Sequence, residues 1–285
     1  MTGYLGAGAP YAIAHRGGAA LAPENTLAAF ERAYALGLRY FETDLRMTAD
    51  GVCVAFHDAR LQRVTGIRGR VVDWPWPALR TLRVKGVGVG DHHVARLEEL
   101  LEAFPDARFV IDLKDPQVVH PLVRVLREMR AVDRVCLAGT TERTLAFARD
   151  LIGGGVTAAV GWDATARFIM AARTGNRLRP PTAARFLHVP FRLGGLGVFV
   201  DRLVGMAHDH DLRVLVWTVD QPTVMHRLLD AGVDGIFTDR PDLLREVLVA
   251  RGSWRAPEPA QAVSETPVAT LPDRAPRSPE RAAAP

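Results

Sequence analysis

The chain contains 285 residues, of which 48% are hydrophobic and 24% are charged, and its formal net charge is +4. These values are typical of a soluble globular protein with an ample core. No run of Lys and Arg residues is interleaved with aromatic residues, which argues against a nucleic-acid partner.

The cysteines and the N-terminal segment indicate the compartment. Cys53 and Cys136 are the only cysteines and lie in apolar runs, which is typical of buried thiols in a reducing environment. Residues 1–18 have neither the basic nor the long apolar region of a signal peptide. No segment approaches the roughly 18 uninterrupted apolar residues of a spanning helix. We therefore expect a cytoplasmic protein without stable membrane insertion.

Short apolar runs alternate with helical patterns along most of the chain. In chain order, the predicted strands are 13–17, 40–46, 53–58, 108–114, 135–139, 156–161, 186–192, 214–220 and 235–241. The predicted helices are 25–38, 96–104, 118–129, 141–151, 164–173, 198–212, 223–232 and 242–251. This alternation predicts parallel βαβ units.

The number of units favours an α/β fold of the closed (β/α)8 type, a TIM barrel, over a doubly wound open sheet. Nine strand candidates exceed eight, so one must be surplus. The segments FLHVP (186–190) and VTAAV (156–160) have the weakest strand patterns, and we expect the surplus strand to be one of them.

We expect residues 1–251 to form the barrel domain. The segment at about 59–95, after the third predicted strand, is irregular and indicates a small insertion. Residues 252–285 are rich in Pro, Ala and Arg without apolar periodicity, which predicts a disordered tail.

Charged residues stand at the ends of several predicted strands, although strands buried on both faces are normally apolar throughout. Glu42 and Asp44 lie two residues apart on a strand, so both side chains point to the same face. An unpaired buried carboxylate is unfavourable, and two oxygen ligands on one face suit a hard cation. Asp112, at the end of the strand 108–114, is a natural third ligand. The alternative to a metal site is that Glu42 and Asp44 form structural salt bridges, with Arg16 or Arg46 as the partner.

Two histidines also follow strands, His15 and His57, each beside carboxylates. An imidazole can act as general acid or base near neutral pH, although a single histidine at a strand end is more often structural. Arg16 and Lys114 could hold phosphate oxygens.

Four motifs resemble those of a known family. H-R-G at 15–17, P-E-N-T at 23–26, E-x-D at 42–44 and H-D at 57–58 stand in the order and spacing of the glycerophosphodiester phosphodiesterase family. Further segments, including VLVWTVD and GIFTDRP, extend the resemblance over about 11–247.

This resemblance implies a TIM barrel of the phospholipase-C-like phosphodiesterase type that hydrolyses glycerophosphodiesters to sn-glycerol 3-phosphate and an alcohol. It implies one divalent cation, Mg²⁺ or Ca²⁺, with Mn²⁺ as a third option, and a small-molecule substrate. The residue roles that it implies are catalysis by His15 and His57; substrate binding by Arg16, Lys114 and Trp217; metal binding by Glu42, Asp44 and Asp112; and support by Glu24 and Asp58.

Two positions depart from the family pattern. The usual E-x-K motif has Asp112 in place of its glutamate, and the asparagine of W-T-V-N is Asp220. An aspartate as third ligand also resembles sphingomyelinase D-type phospholipases, so an enzyme acting on lysolipids or sphingomyelin is the main alternative. It predicts an apolar lip, for which Trp74, Trp76 and Phe199 are candidates. A non-catalytic binding barrel is a further alternative.

Overall fold

The protein is described by a computed structural model that covers residue 4 and residues 10–88, 90–176, 178–180, 184–191 and 198–255. The strands are β1 (Tyr11–Ala14), β2 (Tyr40–Met47), β3 (Cys53–Ala55), β4 (Arg108–Leu113), β5 (Val135–Gly139), β6 (Thr157–Ala158), β7 (Phe186–Pro190), β8 (Arg213–Trp217) and β9 (Gly235–Thr238). The helices are α1 (Leu27–Ala35), α2 (Gln62–Thr65), α3 (Trp76–Leu79), α4 (Leu97–Ala103), α5 (Val119–Glu128), α6 (Glu142–Ile152), α7 (Trp162–Thr174), α8 (Val198–His208), α9 (Pro222–Asp230) and α10 (Pro241–Ala250).

Eight parallel strands form a nearly closed barrel. They are hydrogen-bonded in the order β6-β5-β4-β2-β1-β9-β8-β7. A parallel bridge between Ala159 and Phe186 joins the two ends of this order. The predicted (β/α)8 architecture is therefore confirmed.

The surplus strand is β3, so the expectation that it would be 156–160 or 186–190 is wrong. Both of those segments contribute strands to the barrel, whereas β3 pairs antiparallel with the last three residues of β2. The chain folds back at Asp50-Gly51, where Gly51 has a φ of 81°. The return brings the chain after β3 to the carboxyl end of β2, where the backbone N–H of Phe56 donates to the carbonyl of Asp44 at 2.9 Å.

The barrel is filled by side chains and wrapped by helices. Strands covered on both faces are continuous apolar runs, and β1 (YAIA) is buried at all four positions. The larger apolar layer lies between strands and helices. The cluster inside the barrel consists of Tyr4, Tyr11, Ile13, Val110, Cys136, Ala138, Ala159, Phe186, Leu215 and Phe237.

The insertion after β3 contains two short helices, α2 and α3, and has a small core of its own. This core is formed by Val54, Phe56, Leu61, Val64, Val71, Leu79, Val84 and Val94. The segment is irregular, as predicted, but it is packed.

The packed part of the chain continues past the end of α10 to Trp254. Trp254 packs against the main core, and its N–H donates to the carbonyl of Leu248 at 3.0 Å. Residues 256–285 of the predicted tail lie outside the described residues, so their disorder stays a prediction. Within the described part of the chain, no helix is both long and apolar enough to cross a membrane.

We expect Gly235→Ala to lower the free energy of unfolding by about 1–3 kcal/mol, since overpacking a close contact has this effect. A Cβ at Gly235 would lie 2.7 Å from the Cβ of Tyr11 and 2.8 Å from a methyl carbon of Leu215. Gly205 on α8 is the control, because a Cβ there meets no heavy atom within 4 Å. Gly205→Ala should leave stability unchanged or raise it by up to about 1 kcal/mol. Urea unfolding of both variants measures the difference, and equal effects would contradict this packing.

Candidate active site

A cavity of about 240 Å³ opens at the carboxyl end of the barrel. Eight of the predicted site residues line it: His15, Arg16, Glu42, Asp44, His57, Asp112, Lys114 and Trp217. The remaining two, Glu24 and Asp58, lie behind this lining, where they bond to Arg16 and His57 respectively.

The side chains converge because neighbouring parallel strands end at the same rim. β1 is followed by a short 3-10 turn, His15–Gly17, which places His15 and Arg16 above the barrel. On the next strand, β2, Glu42 and Asp44 share one face. Asp112 of β4 is in register with Asp44. The β2–β3 hairpin adds His57 from outside the barrel.

Glu42, Asp44 and Asp112 form a group that could hold a metal ion. One carboxylate oxygen of each lies within 4.8 Å of the others. Burial and the neighbouring Asp44 carboxylate raise the pKa of Glu42 to about 7. Burial would also raise the pKa of Asp44, but Lys114 and Arg16 outweigh it and lower that pKa to about 2. The nearby cations therefore stabilise the charged form of Asp44 more than that of Glu42.

Protein cations already neutralise part of this charge. The Nζ atom of Lys114 lies 2.7 Å from Oδ1 of Asp44 and 2.5 Å from Oδ2 of Asp112. The backbone N–H of Arg16 donates to Glu42 at 2.9 Å. The acidic group could hold a cation beside these protein charges, and its hard oxygen donors fit Mg²⁺, Ca²⁺ or Mn²⁺ better than a soft metal.

Each histidine of the site is oriented by a carboxylate. Nδ1 of His15 lies 2.7 Å from Oδ1 of Asp239, and Nδ1 of His57 lies 2.7 Å from Oδ1 of Asp58. These bonds engage Nδ1 of each ring, and Nε2 of His15 lies 3.9 Å from a carboxylate oxygen of Glu42. Burial disfavours the imidazolium of His15, but the Asp239 hydrogen bond and the Glu42 charge outweigh it and raise the pKa of His15. Burial lowers the pKa of His57.

A network of ion pairs connects this site with the insertion. Arg63 of α2 donates to Asp58 at 2.7 Å and to both carboxylate oxygens of Glu24 at 2.7 Å. Glu24 also accepts from Nη1 of Arg16 at 3.0 Å. The guanidinium of Arg63 therefore fixes the two carboxylates that support His57 and Arg16.

Two residues of the site have left-handed backbone conformations, Arg16 with a φ of 51° and Asn25 with a φ of 57°. Such conformations are unfavourable for most residues other than glycine, although asparagine adopts them more readily than arginine. Asn25 is held by hydrogen bonds of 2.8 Å to Asp44 and from Thr43. The P-E-N-T segment thereby braces the strand that carries the acidic pair.

The opposite wall of the cavity is largely apolar. Trp217 is 38% exposed and stands edge-to-face with Trp162, with 6.3 Å between ring centroids. Trp74 and Trp76, predicted as lip residues of a lipid-active enzyme, instead pack on the core of the insertion. The side chain of Phe199 lies outside the described part of the protein.

Sequence reasoning missed two residues that orient the site, Asp239 and Arg63. Asp239 directly follows a strand, as Glu42 and Asp44 end one, and this signal could have identified it. Asp220, noted as a departure from the family, accepts hydrogen bonds of 2.8 Å from the hydroxyl of Thr238 and the N–H of Asp239. An asparagine carbonyl oxygen could accept the same two bonds, so this departure conserves the interaction.

Comparison with known proteins identifies the family. A sequence model of the glycerophosphoryl diester phosphodiesterase family matches residues 15–243. The chain belongs to this family. It is 40% identical over 255 residues to the Mycobacterium tuberculosis protein named probable glycerophosphodiester phosphodiesterase 2, with coverage of 88% of this chain and 95% of the relative. The resemblance found in the motifs is thus confirmed, and the protein is a phosphoric diester hydrolase.

Solved structures agree with this fold. A phosphodiesterase from Oleispira antarctica, solved in complex with the product sn-glycerol-3-phosphate, has a TM-score of 0.69 at 22% identity and matches 85% of this chain and 97% of its own. A glycerophosphodiester phosphodiesterase from Agrobacterium tumefaciens has a TM-score of 0.64 at 25% identity and matches 81% of this chain and 97% of its own.

We expect Asp239→Asn to reduce kcat on the order of 10- to 100-fold, because His15 loses the carboxylate that orients and charges it. The matched control is Asp242→Asn. Asp242 lies three residues away and pairs with Arg240 at 2.7 Å outside the cavity. Steady-state kinetics on a glycerophosphodiester compare the two variants. Equal kcat values for Asp239→Asn and the control would show that the contact with His15 has no role in turnover.

Proposed function

We propose that this protein hydrolyses small glycerophosphodiesters to sn-glycerol 3-phosphate and an alcohol, with His15 and His57 as acid–base pair. The observation that carries this proposal is the placement of two carboxylate-oriented histidines around one group of acidic oxygens and two cationic side chains. Phosphodiester cleavage needs these parts together: a proton acceptor, a proton donor and positive charge for the non-bridging oxygens.

Glu42, Asp44 and Asp112 are the residues that would hold a divalent cation, for which we propose Mg²⁺ or Ca²⁺, with Mn²⁺ as a third option. When bound, such an ion neutralises phosphate charge and acidifies the attacking hydroxyl. The raised pKa of Glu42 supports this assignment, because a buried carboxylate beside another lacks sufficient positive charge.

The protein's own side chains perform the proton transfers. One histidine removes the proton of the attacking hydroxyl, which belongs to the glycerol or to a water, and the other protonates the leaving alcohol. Because Nδ1 of each ring is engaged by Asp239 or Asp58, Nε2 is the atom that exchanges protons with the substrate. Arg16 and Lys114 stabilise charge on the non-bridging oxygens. Trp217 borders the glycerol or head group.

The size and lining of the cavity favour a small, deacylated substrate. Its volume is about 240 Å³, and the tryptophans expected to bind lipid, Trp74 and Trp76, do not line it. A small polar substrate agrees with two expectations from the sequence, a cytoplasmic location and no nucleic-acid partner.

We expect hydrolysis of glycerophosphocholine or glycerophosphoethanolamine to stop when EDTA removes divalent cations and to return when Mg²⁺ or Ca²⁺ is added. His15→Ala and His57→Ala should each lower kcat by about 100- to 10,000-fold. His120→Ala, on the exposed surface of α5, is the matched control and should keep full activity.

Activity that survives complete chelation, or that persists in both histidine variants, would contradict the proposed mechanism. The same assay is repeated with lysophosphatidylcholine micelles as the substrate. Faster turnover of these micelles than of glycerophosphocholine would favour the lysolipid alternative over the proposed substrate.

The third proposed ligand has its own test. We expect Asp112→Asn to raise the cation concentration for half-maximal activity at least about tenfold, since loss of a ligand weakens the site more than loss of a supporting group. Asp112→Glu retains a carboxylate and should keep most of the affinity. Asp115→Asn is the control, because Asp115 pairs with Arg46 at 2.6 Å and does not line the cavity. An unchanged cation requirement in Asp112→Asn would exclude Asp112 as a ligand.

A further inference from the structure

One histidine of the cavity takes no part in the acid–base scheme. His188 is the central residue of β7, and its side chain points into the barrel above Phe186, two residues earlier on the same strand. Its ring is packed edge-to-face on Phe237, with 5.0 Å between centroids, and it lines the cavity. The ring is thus held firmly by aromatic neighbours while one part of it faces the site.

One nitrogen of the His188 imidazole lacks the hydrogen-bond partner that a buried polar atom normally has. Its Nε2 atom is buried without a hydrogen-bond partner among the described residues. Buried polar groups are nearly always hydrogen-bonded, so an orphan atom in a native site requires an explanation. Burial also lowers the pKa of His188 to about 3, so the ring is neutral at physiological pH.

The position of His188 complements that of the charged groups. In the strand order of the barrel, β7 is four strands away from β2 in either direction, so His188 lies opposite Glu42 and Asp44. The described lining between β5 and β9 carries no charged side chain. Among the described residues of this part of the lining, His188 is the one with a buried polar side-chain atom that has no hydrogen-bond partner. A substrate whose phosphate lies at the charged wall and that reaches across the cavity brings its distal end near this ring.

We propose that His188 is a specificity residue that hydrogen-bonds the terminal hydroxyl of the glycerol moiety, the hydroxyl farthest from the phosphate. This inference rests on the proposed function. A neutral imidazole offers one donor and one acceptor, and a hydroxyl can pair with either, whereas an ammonium can only donate to the ring and a carboxylate can only accept from it. The ring lines the cavity, and turning it by about 180° exchanges nitrogen and carbon positions with little change of shape, so both assignments of its nitrogens are compatible with the aromatic packing.

The test compares glycerophosphocholine with propane-1,2-diol phosphocholine, which lacks the terminal hydroxyl. A site that bonds a hydroxyl discriminates strongly against the analogue without it. We expect the wild type to prefer glycerophosphocholine at least about tenfold in kcat/KM, and His188→Leu to lose most of this preference. The loss should come from a roughly 10- to 100-fold lower kcat/KM on glycerophosphocholine, with little change on the analogue.

Two further variants separate this role from a structural one. His188→Gln keeps a donor and an acceptor and should retain part of the preference. Thr165→Val is the control, since the hydroxyl of Thr165 is already bonded to the carbonyl of Val160 at 3.3 Å, and it should keep the full preference. His188→Leu should also melt no lower than the wild type, because it removes an unsatisfied polar atom.

The inference is overturned if His188→Leu lowers kcat/KM equally on both substrates, or if its preference equals that of the wild type. Calorimetric binding of sn-glycerol 3-phosphate and of 2-hydroxypropyl phosphate provides a readout that does not need turnover. If the wild type hydrolyses neither diester, the proposed function fails, and this binding comparison still decides the role of His188. Equal loss of affinity for both phosphates in His188→Leu would overturn it.

Discussion

The mutual repulsion of Glu42 and Asp44 is the constraint on which the site depends. Both carboxylates are buried on one face of one strand, 6% and 1% exposed, where neither water nor distance separates their charges. Lys114 and Arg16 provide part of the compensation, and Glu42 remains with a raised pKa. The acidic pair therefore favours any arrangement that brings further positive charge to it, and a divalent cation together with Asp112 is the arrangement that the donor set fits best.

The barrel makes this charge concentration compatible with a stable core. Below the rim, the interior is filled by apolar and aromatic side chains, and the charged side chains and catalytic histidines proposed for the described cavity lining lie at the carboxyl ends of β1, β2 and β4 and in the adjoining loops. The cavity acquires two walls as a consequence, one charged and one apolar. A glycerophosphodiester has a related division, since its phosphate is anionic and its glycerol end is uncharged. His188 on the apolar wall then discriminates between such groups by hydrogen bonding.

Local sequence patterns could predict the parts of the fold that depend on local chemistry. The alternation of strands and helices indicated the barrel, and the polar residues at strand ends indicated the rim. The direction of β3 cannot be read from its short apolar run, and the signal that could have shown it is the Asp50-Gly51 turn, since Asp-Gly between two strands is typical of an antiparallel hairpin. The two-residue strand β6 is likewise formed by pairing with β5 and by the bridge to β7, which are tertiary contacts.

The same limit applies to the site. His15, His57 and the acidic residues stand in motifs, and their positions at strand ends followed from the sequence. The partner of His57, Asp58, was predicted as a supporting residue, but the partner of His15 was not, because the bond between His15 and Asp239 joins residues 224 positions apart. Asp239 could have been suspected from its place after a strand. Arg63 has no such signal, since an arginine on a short surface helix is ordinary until the fold places it between Glu24 and Asp58.

The position of Arg63 connects the packing of the insertion with the geometry of the site. His57 reaches the cavity from a hairpin outside the barrel, so the barrel strands alone do not fix its ring. The core of the insertion positions α2, and α2 positions Arg63, which holds the carboxylate of Asp58 against His57. Left-handed backbone at Arg16 and an unpartnered nitrogen at His188 show that the site departs from the lowest local energy elsewhere as well. A separately packed insertion thus stabilises His57, a proposed catalytic side chain that no barrel strand carries.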